Sequence, residues 1–131
     1  MSESNVEMVR TAIEAYNRGD MEGGLSSAAP DFEMDLSRAV GPQHGIFGRD
    51  QMLDFFSEFT ESWESFLIEP HEFIETGEDV IVPWTLHLVG RDGIEVEARV
   101  TWTWTIRDGA IARVCMYQGR QDALEAAGLR D

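Results

Sequence analysis

The chain has 131 residues, with 25 acidic side chains against ten basic ones and a net charge of −15, and all ten basic residues are arginine. The absence of lysine removes lysine Schiff-base chemistry and any P-loop, and the negative balance argues against unaided binding to nucleic acid or to an anionic membrane surface. An apolar share of 43% with seven Phe and four Trp fits one globular domain with a buried core, not a disordered chain. The early acidic residues Glu3, Glu7 and Glu14 break any apolar leader, and no apolar run approaches 18 residues, so a cytoplasmic protein is expected. The single cysteine, Cys115, reads as a small core or interface residue.

Ser4-Asn5-Val6-Glu7 has the form of a capping box, and Val6, Val9, Ile13 and Tyr16 follow at helical spacing, which predicts a helix from about Asn5 to Arg18. Gly19 supplies a left-handed stop, and Asp20 caps a short second helix running to Ala29, where Pro30 ends it. Asp31 to Ser37 alternates Phe32, Met34 and Leu36 with polar residues and reads as a strand. Arg38 to Gly48 contains three glycines, Pro42 and His44 and reads as a long loop of the kind that walls or covers a pocket. Asp50 is positioned to cap a third helix with an apolar stripe of Met52, Phe56, Phe59 and Trp63.

From Phe66 the pattern changes to strands. Phe66–Thr76 and Asp79–Gly90 form a hairpin about Gly77-Glu78, with Pro70 and Pro83 at edges or bulges. Ile94–Ile106 alternates without a break, placing Val96, Ala98, Val100, Trp102, Trp104 and Ile106 on one face and Glu95, Glu97, Arg99, Thr101, Thr103 and Thr105 on the other, so one face of a long strand is buried. The Asp108-Gly109 turn returns the chain. Placing Val114 and Met116 on the tryptophan face requires a bulge near Ile111, whereas a plain two-residue turn would place Arg113 and Cys115 there. Leu124, Ala127 and Leu129 close the chain as a short helix or tail. These elements predict an α+β domain whose helices cover one face of a curved antiparallel sheet.

Asn17-Arg18-Gly19-Asp20 after the first helix, Pro30 to Asp35 at the first strand, Gly48-Arg49-Asp50 before the third helix and Trp104 to Ile111 near the end resemble the SnoaL-like branch of the nuclear transport factor 2-like superfamily, which also holds polyketide cyclases and ketosteroid isomerase. The resemblance implies one cystatin-like cone over residues 1–131, with an apolar pocket at its mouth and a homodimer packed through the outer sheet face. Carried over residue by residue, the isomerase's oxyanion-binding tyrosine falls on Ala12, its protonated aspartate on Trp102 and its general base on Leu36 or, one residue away, Asp35. The cyclases' acid/base aspartate falls on Met116. Limonene epoxide hydrolase, similar in fold, uses two carboxylates with an arginine between them; Glu97 and Arg99 share a face here, but the one opposite the tryptophans.

The candidate chemistry therefore rests on Asp35 or His44 as acid/base and on Tyr16 or Gln118 as a hydrogen-bond donor to a developing oxyanion. Alternation alone sets Asp35 with Glu33 and Ser37, away from the apolar face. Trp84, Trp102, Trp104, Val82, Val100, Met116 and Phe56 are the expected pocket lining, with Gln118 at the mouth. No His, Cys, Asp and Glu grouping has metal spacing, and no cofactor is expected. The expected partners are a small, largely apolar molecule and a second copy of the chain, meeting through Thr85, Arg99, Thr101 and Thr103. An isomerase, cyclase or hydrolase, an epoxide hydrolase-like enzyme, and a non-catalytic binding or structural module all remain open at this point.

Overall fold

A computed structural model describes residues 4–38 and 45–129. The first helix, α1 (Asn5–Asn17), opens as the sequence predicts, with the Ser4 hydroxyl accepting from the Glu7 N–H at 3.1 Å, and it buries Val9, Ala12, Ile13, Ala15 and Tyr16. Asp20 caps α2 (Met21–Gly24) through the Gly23 N–H at 2.8 Å. The helix stops at Gly24 instead of continuing to Ala29. Two successive glycines weaken it, and Gly24 lies so close to α1 that a Cβ there would fall 2.2 Å from Tyr16 Cε1. Pro30 consequently falls inside β1 (Ala28–Asp35), within the stretch where that strand's pairing shifts register, a place where a missing N–H is tolerated.

The segment expected to be wholly loop contributes a short strand, β2 (Ile46–Gly48), antiparallel to β1. The third helix, α3 (Arg49–Ser62), is capped by Gln51, whose side-chain oxygen accepts the Gly48 N–H at 2.8 Å. Asp50, the expected cap, instead lies in the exposed first turn. Trp63, expected on the helix stripe, begins β3 (Trp63–Pro70). A break separates β3 from β4 (Ile74–Thr76), and both pair with β5 (Asp79–Gly90). At that break the His71 N–H donates to the Pro83 carbonyl at 2.9 Å. Pro83 thus sits in a central strand without losing a ladder bond, because its nitrogen faces the gap.

The tryptophan strand is β6 (Glu95–Arg107), followed by β7 (Ala110–Tyr117). Asp108 and Gly109 both have positive φ, 53° and 76°, the conformation of a tight type I′ hairpin turn. Pairing then slips by one residue, from Ile106 opposite Ile111 to Thr105 opposite Arg113, and settles with Trp104 opposite Val114 and Trp102 opposite Met116. The bulge that apolarity demands is therefore present, with Ala112 as the extra residue.

The strand order is β2-β1-β7-β6-β5-β3, with β4 also on β5. The sheet is mixed, not purely antiparallel, because β1 runs parallel to β7 with Met34 opposite Val114 and Asp35 opposite Cys115. The main core packs α1 and α3 on the inner face, against Met34, Val82, Trp84, Trp104 and Val114. A fourth helix, α4 (Arg120–Ala126), crosses to the other face, where Ala123 and Leu124 cluster with Ile81, Ile74 and Tyr117. Three residues expected at a dimer surface, Thr85, Thr101 and Thr103, are buried within the single chain at 5%, 2% and 8% exposure.

One edge is left open. The β7 strand ends opposite Thr101, so Glu95 to Val100 pair with β5 alone. Bonds from Gly90 N–H to the Ile94 carbonyl and from Ile106 N–H to the Glu78 carbonyl, both 2.8 Å, turn the even-numbered residues of β6 toward β5. The N–H and C=O groups of Glu95, Glu97 and Arg99 therefore face outward along the open edge.

Candidate binding cavity

Between α1, α3 and the inner sheet face lies a cavity of about 300 Å³. The sheet contributes Met34, Ile68, Trp84, Val100, Trp102 and Met116, and α3 contributes Met52, Phe55, Phe56, Phe59 and Thr60. Tyr16 from α1 and Met21 from α2 complete its sides. The space arises from the sequence in a simple way. The β5 and β6 strands place Trp84 opposite Val100 and Trp102 opposite Val82, and the two indoles meet edge to face with centroids 4.9 Å apart at 84°. Rings locked in that arrangement hold the wall apart, while unbranched methionines fill its irregular margins.

Of the lining residues expected from the sequence, the structure brings Phe56, Trp84, Val100, Trp102 and Met116 around one space. Val82 and Trp104, at 0% and 2% exposure, are packed in the core instead. Gln118 is on the outer side, donating to the Arg38 carbonyl and bordering a separate open groove with Arg99 and Thr101. His44 lies outside the described residues. Sequence reasoning missed Phe55, Met21, Met34, Ile68 and the role of α2. Only the α3 stripe and the alternation of β3 carried any signal for this group.

Tyr16 behaves as its spacing suggests in being buried, at 3% exposure. Its ring tilts against Phe56 at 5.2 Å and presses on Gly24. Burial raises the phenol pKa above its ordinary value, so the group is neutral at physiological pH and can donate a hydrogen bond. The Thr60 hydroxyl donates to the Ser57 carbonyl at 2.9 Å, and the indole N–H groups of Trp84 and Trp102 are buried without an acceptor among the described residues.

Asp35 is placed on the opposite face, as alternation implies, but it is far from a solvated strand residue. At 4% exposure it accepts from the Ser37 N–H at 2.9 Å and the Ser37 hydroxyl at 2.6 Å, pairs closely with Arg113, and has Arg38 Nη1 at 3.7 Å. Burial works to raise its pKa. The Ser37 hydrogen bonds and the charges of Arg113 and Arg38 outweigh that and hold the carboxyl below the usual aspartate range. Arg38 also donates to Cys115 Sγ at 3.3 Å and lies over the Tyr117 ring at 5.0 Å. Burial pushes the Cys115 thiol up, which suits an inert core cysteine. His87 lies between Glu69 at 2.8 Å and Glu97 at 3.2 Å, on the outer face.

The architecture is a curved mixed sheet with helices, the cone of the nuclear transport factor 2-like superfamily. A family model described as a SnoaL-like domain matches residues 9–114, and the chain belongs to that family. Among solved structures it is similar to TerC, co-crystallised with polyporic acid, at 25% identity over 92% of this chain and 95% of that one, with a TM-score of 0.77. It is also similar to IdmH of Streptomyces antibioticus, a candidate polyketide cyclase, at 18% identity over 97% and 100% of the chains and a TM-score of 0.77. An NTF2-like protein of Burkholderia thailandensis aligns at 20% identity over 98% and 99%, with a TM-score of 0.78. These last two likenesses concern the fold. No curated protein matches the sequence significantly.

Proposed function

We propose that this SnoaL-like chain takes up a small, flat, largely apolar molecule in the cavity between α3 and the tryptophan strands, and that its chemistry is a rearrangement of the cyclase or isomerase type directed by shape and hydrogen bonding. The observation that carries this reading is the cavity itself, walled by aromatic and methionine side chains and large enough for a ligand of two or three fused rings. The family and its cyclase-like structural relatives support it, as does TerC, whose crystals contain polyporic acid. The described part of the wall carries neither carboxylate nor imidazole. Asp35 is turned to the outer face and engaged by two arginines. Holding a reactant in a reactive orientation needs no ionised wall group, and such positioning alone can lower a barrier substantially.

The test is a titration of tryptophan fluorescence with polyporic acid, together with native mass spectrometry of the freshly purified chain. Saturable one-to-one quenching that is lost in Ala98→Phe, a variant that fills the cavity beside Val100, is the expected outcome. Equal quenching in both proteins would remove the cavity from the reading.

A further inference from the structure

Resting on the cavity reading above, we infer that the polar rim of the ligand is read by the main chain of β6. The Arg99 N–H donates to a ligand carbonyl, and the Glu97 carbonyl accepts from a donor on the adjacent ligand atom. The composition of the cavity wall leads to this. No charged or amide side chain is in its described lining, and the Thr60 hydroxyl already donates to the Ser57 carbonyl. A flat molecule with oxygen or nitrogen on its rim loses its bonds to water on entering an apolar space, so those atoms belong where the wall ends.

The wall ends along β6. Ala98 and Val100 line the cavity, yet they belong to the stretch that pairs with β5 alone, because β7 stops opposite Thr101. After Tyr117 the chain turns through Gly119 into α4, on the other face. The position that a continuing β7 would take is therefore open among the described residues, and Val100 borders both the cavity and the open groove on the outer side. The N–H and C=O groups of Glu97 and Arg99 point into that position by the pairing pattern of the strand. Their side chains project to the outer face, where the Glu97 carboxylate meets His87 at 3.2 Å, so recognition in the gap falls to main-chain atoms. Ala98, between them, is the smallest side chain on the inward row of β6 and leaves a flat ring room to reach the edge. The edge presents carbonyl, N–H and carbonyl in turn, a pattern that a neighbouring strand would read with the N–H and C=O of one residue. A small molecule matches it with a donor and an acceptor on adjacent ring atoms, as in a lactam or a hydroxyl beside a carbonyl.

Three probes with one skeleton test this: tetralin, dihydrocarbostyril, whose lactam N–H stands beside its carbonyl, and N-methyl dihydrocarbostyril, which keeps only the acceptor. On the isotope-labelled wild-type chain, amide hydrogen exchange at Arg99 is expected to slow about tenfold or more with saturating lactam and to stay unchanged with saturating tetralin. By calorimetry, Arg99→Pro, which removes that N–H at an edge position where proline is tolerated, should lower lactam affinity about three- to tenfold, the yield of one net hydrogen bond. Tetralin affinity should be the same in both proteins. The N-methyl compound, with no proton for the Glu97 carbonyl, should bind the wild-type chain more weakly than the lactam by a similar factor. Equal Arg99 exchange with lactam and tetralin, equal lactam affinity in the two proteins, or an N-methyl compound that binds as tightly as the lactam overturns the inference while leaving the cavity reading intact. If Arg99→Pro does not fold, the exchange measurement on the wild-type chain decides. Failure of all three probes to bind the wild-type chain overturns the cavity reading and the inference together.

Discussion

On the outer face of the sheet the buried carboxylate of Asp35 is met by Ser37, Arg38 and Arg113, whereas the space against the inner face is walled by aromatic and methionine side chains, with neither carboxylate nor imidazole among its described lining. In the first arrangement the carboxylate is met by donors and two arginine charges, although Arg113 Nε stays buried without a partner among the described residues. The second is an open space whose described wall is almost wholly apolar. The two sides of one sheet are thus built differently, the outer one with polar groups that fasten β1 to β7 and the inner one with apolar side chains around a space. The difference teaches that a perturbed or buried titratable group is not by itself the mark of a reaction site. Asp35 is the more conspicuous residue by chemistry, yet its partners account for it fully.

This contrast can be broken at three points. Trp104→Ala, behind the cavity in the closed core, should destabilise the chain by about 3–5 kcal/mol, measured by chemical denaturation. A much smaller loss would mean that the core around Trp104 is as open as the cavity. Gly24→Ala drives a methyl into the Tyr16 ring and should cost about 1–3 kcal/mol through overpacking, while displacing the ring from the cavity wall and weakening the quenching by polyporic acid. Unaltered quenching would separate Gly24 from the site.

Asp35→Asn should cost about 1–2 kcal/mol, because the carboxylate is buried but its arginine partners are half exposed and partly screened. It should leave ligand binding untouched. The folded-state pKa of Asp35 is lowered, so its contribution to stability is complete above the ordinary aspartate value of about 3.9 and is lost as pH falls through the lower folded value. Denaturation midpoints measured from neutral to acid pH should therefore converge for the wild-type and Asp35→Asn chains. Parallel curves would show that Asp35 titrates alike in the folded and unfolded chain.

Much of the fold was legible because it is written in short-range patterns. The alternation of Val96 to Ile106 fixed β6, the Asp-Gly turn fixed its hairpin, and the apolarity of Val114 and Met116 required the bulge that the pairing contains. Parallel pairing of β1 with β7 leaves no such trace, since it joins Met34 to Val114 across most of the chain. The same holds for Pro30 and Pro83, whose tolerance depends on a register shift and a strand break that only the assembled sheet creates. At the site, helical spacing identified Tyr16 as buried, but not that its ring packs between Phe56 and Gly24. Alternation gave Asp35 its face, but not Arg113, which lies 78 positions away in sequence. Phe55 was overlooked because it sits beside Phe56, off the stripe of Met52, Phe56 and Phe59, yet it lines the cavity with its ring against those of Phe56 and Phe59.

The open edge of β6 has a consequence for handling the protein. Its outward N–H and C=O groups belong to Glu95, Glu97 and Arg99, and no other described strand covers them. Charged side chains are what keep such an edge from recruiting a strand of another molecule. Val96 and Ile94 are exposed beside them, at 39% and 62%, so these charges are what guards the edge. Replacing Glu95 and Glu97 together by Val should then turn this edge from a repelling border into a nucleus for stacking chains, so colloidal failure would set in at the β6 edge while the core beneath it is still folded.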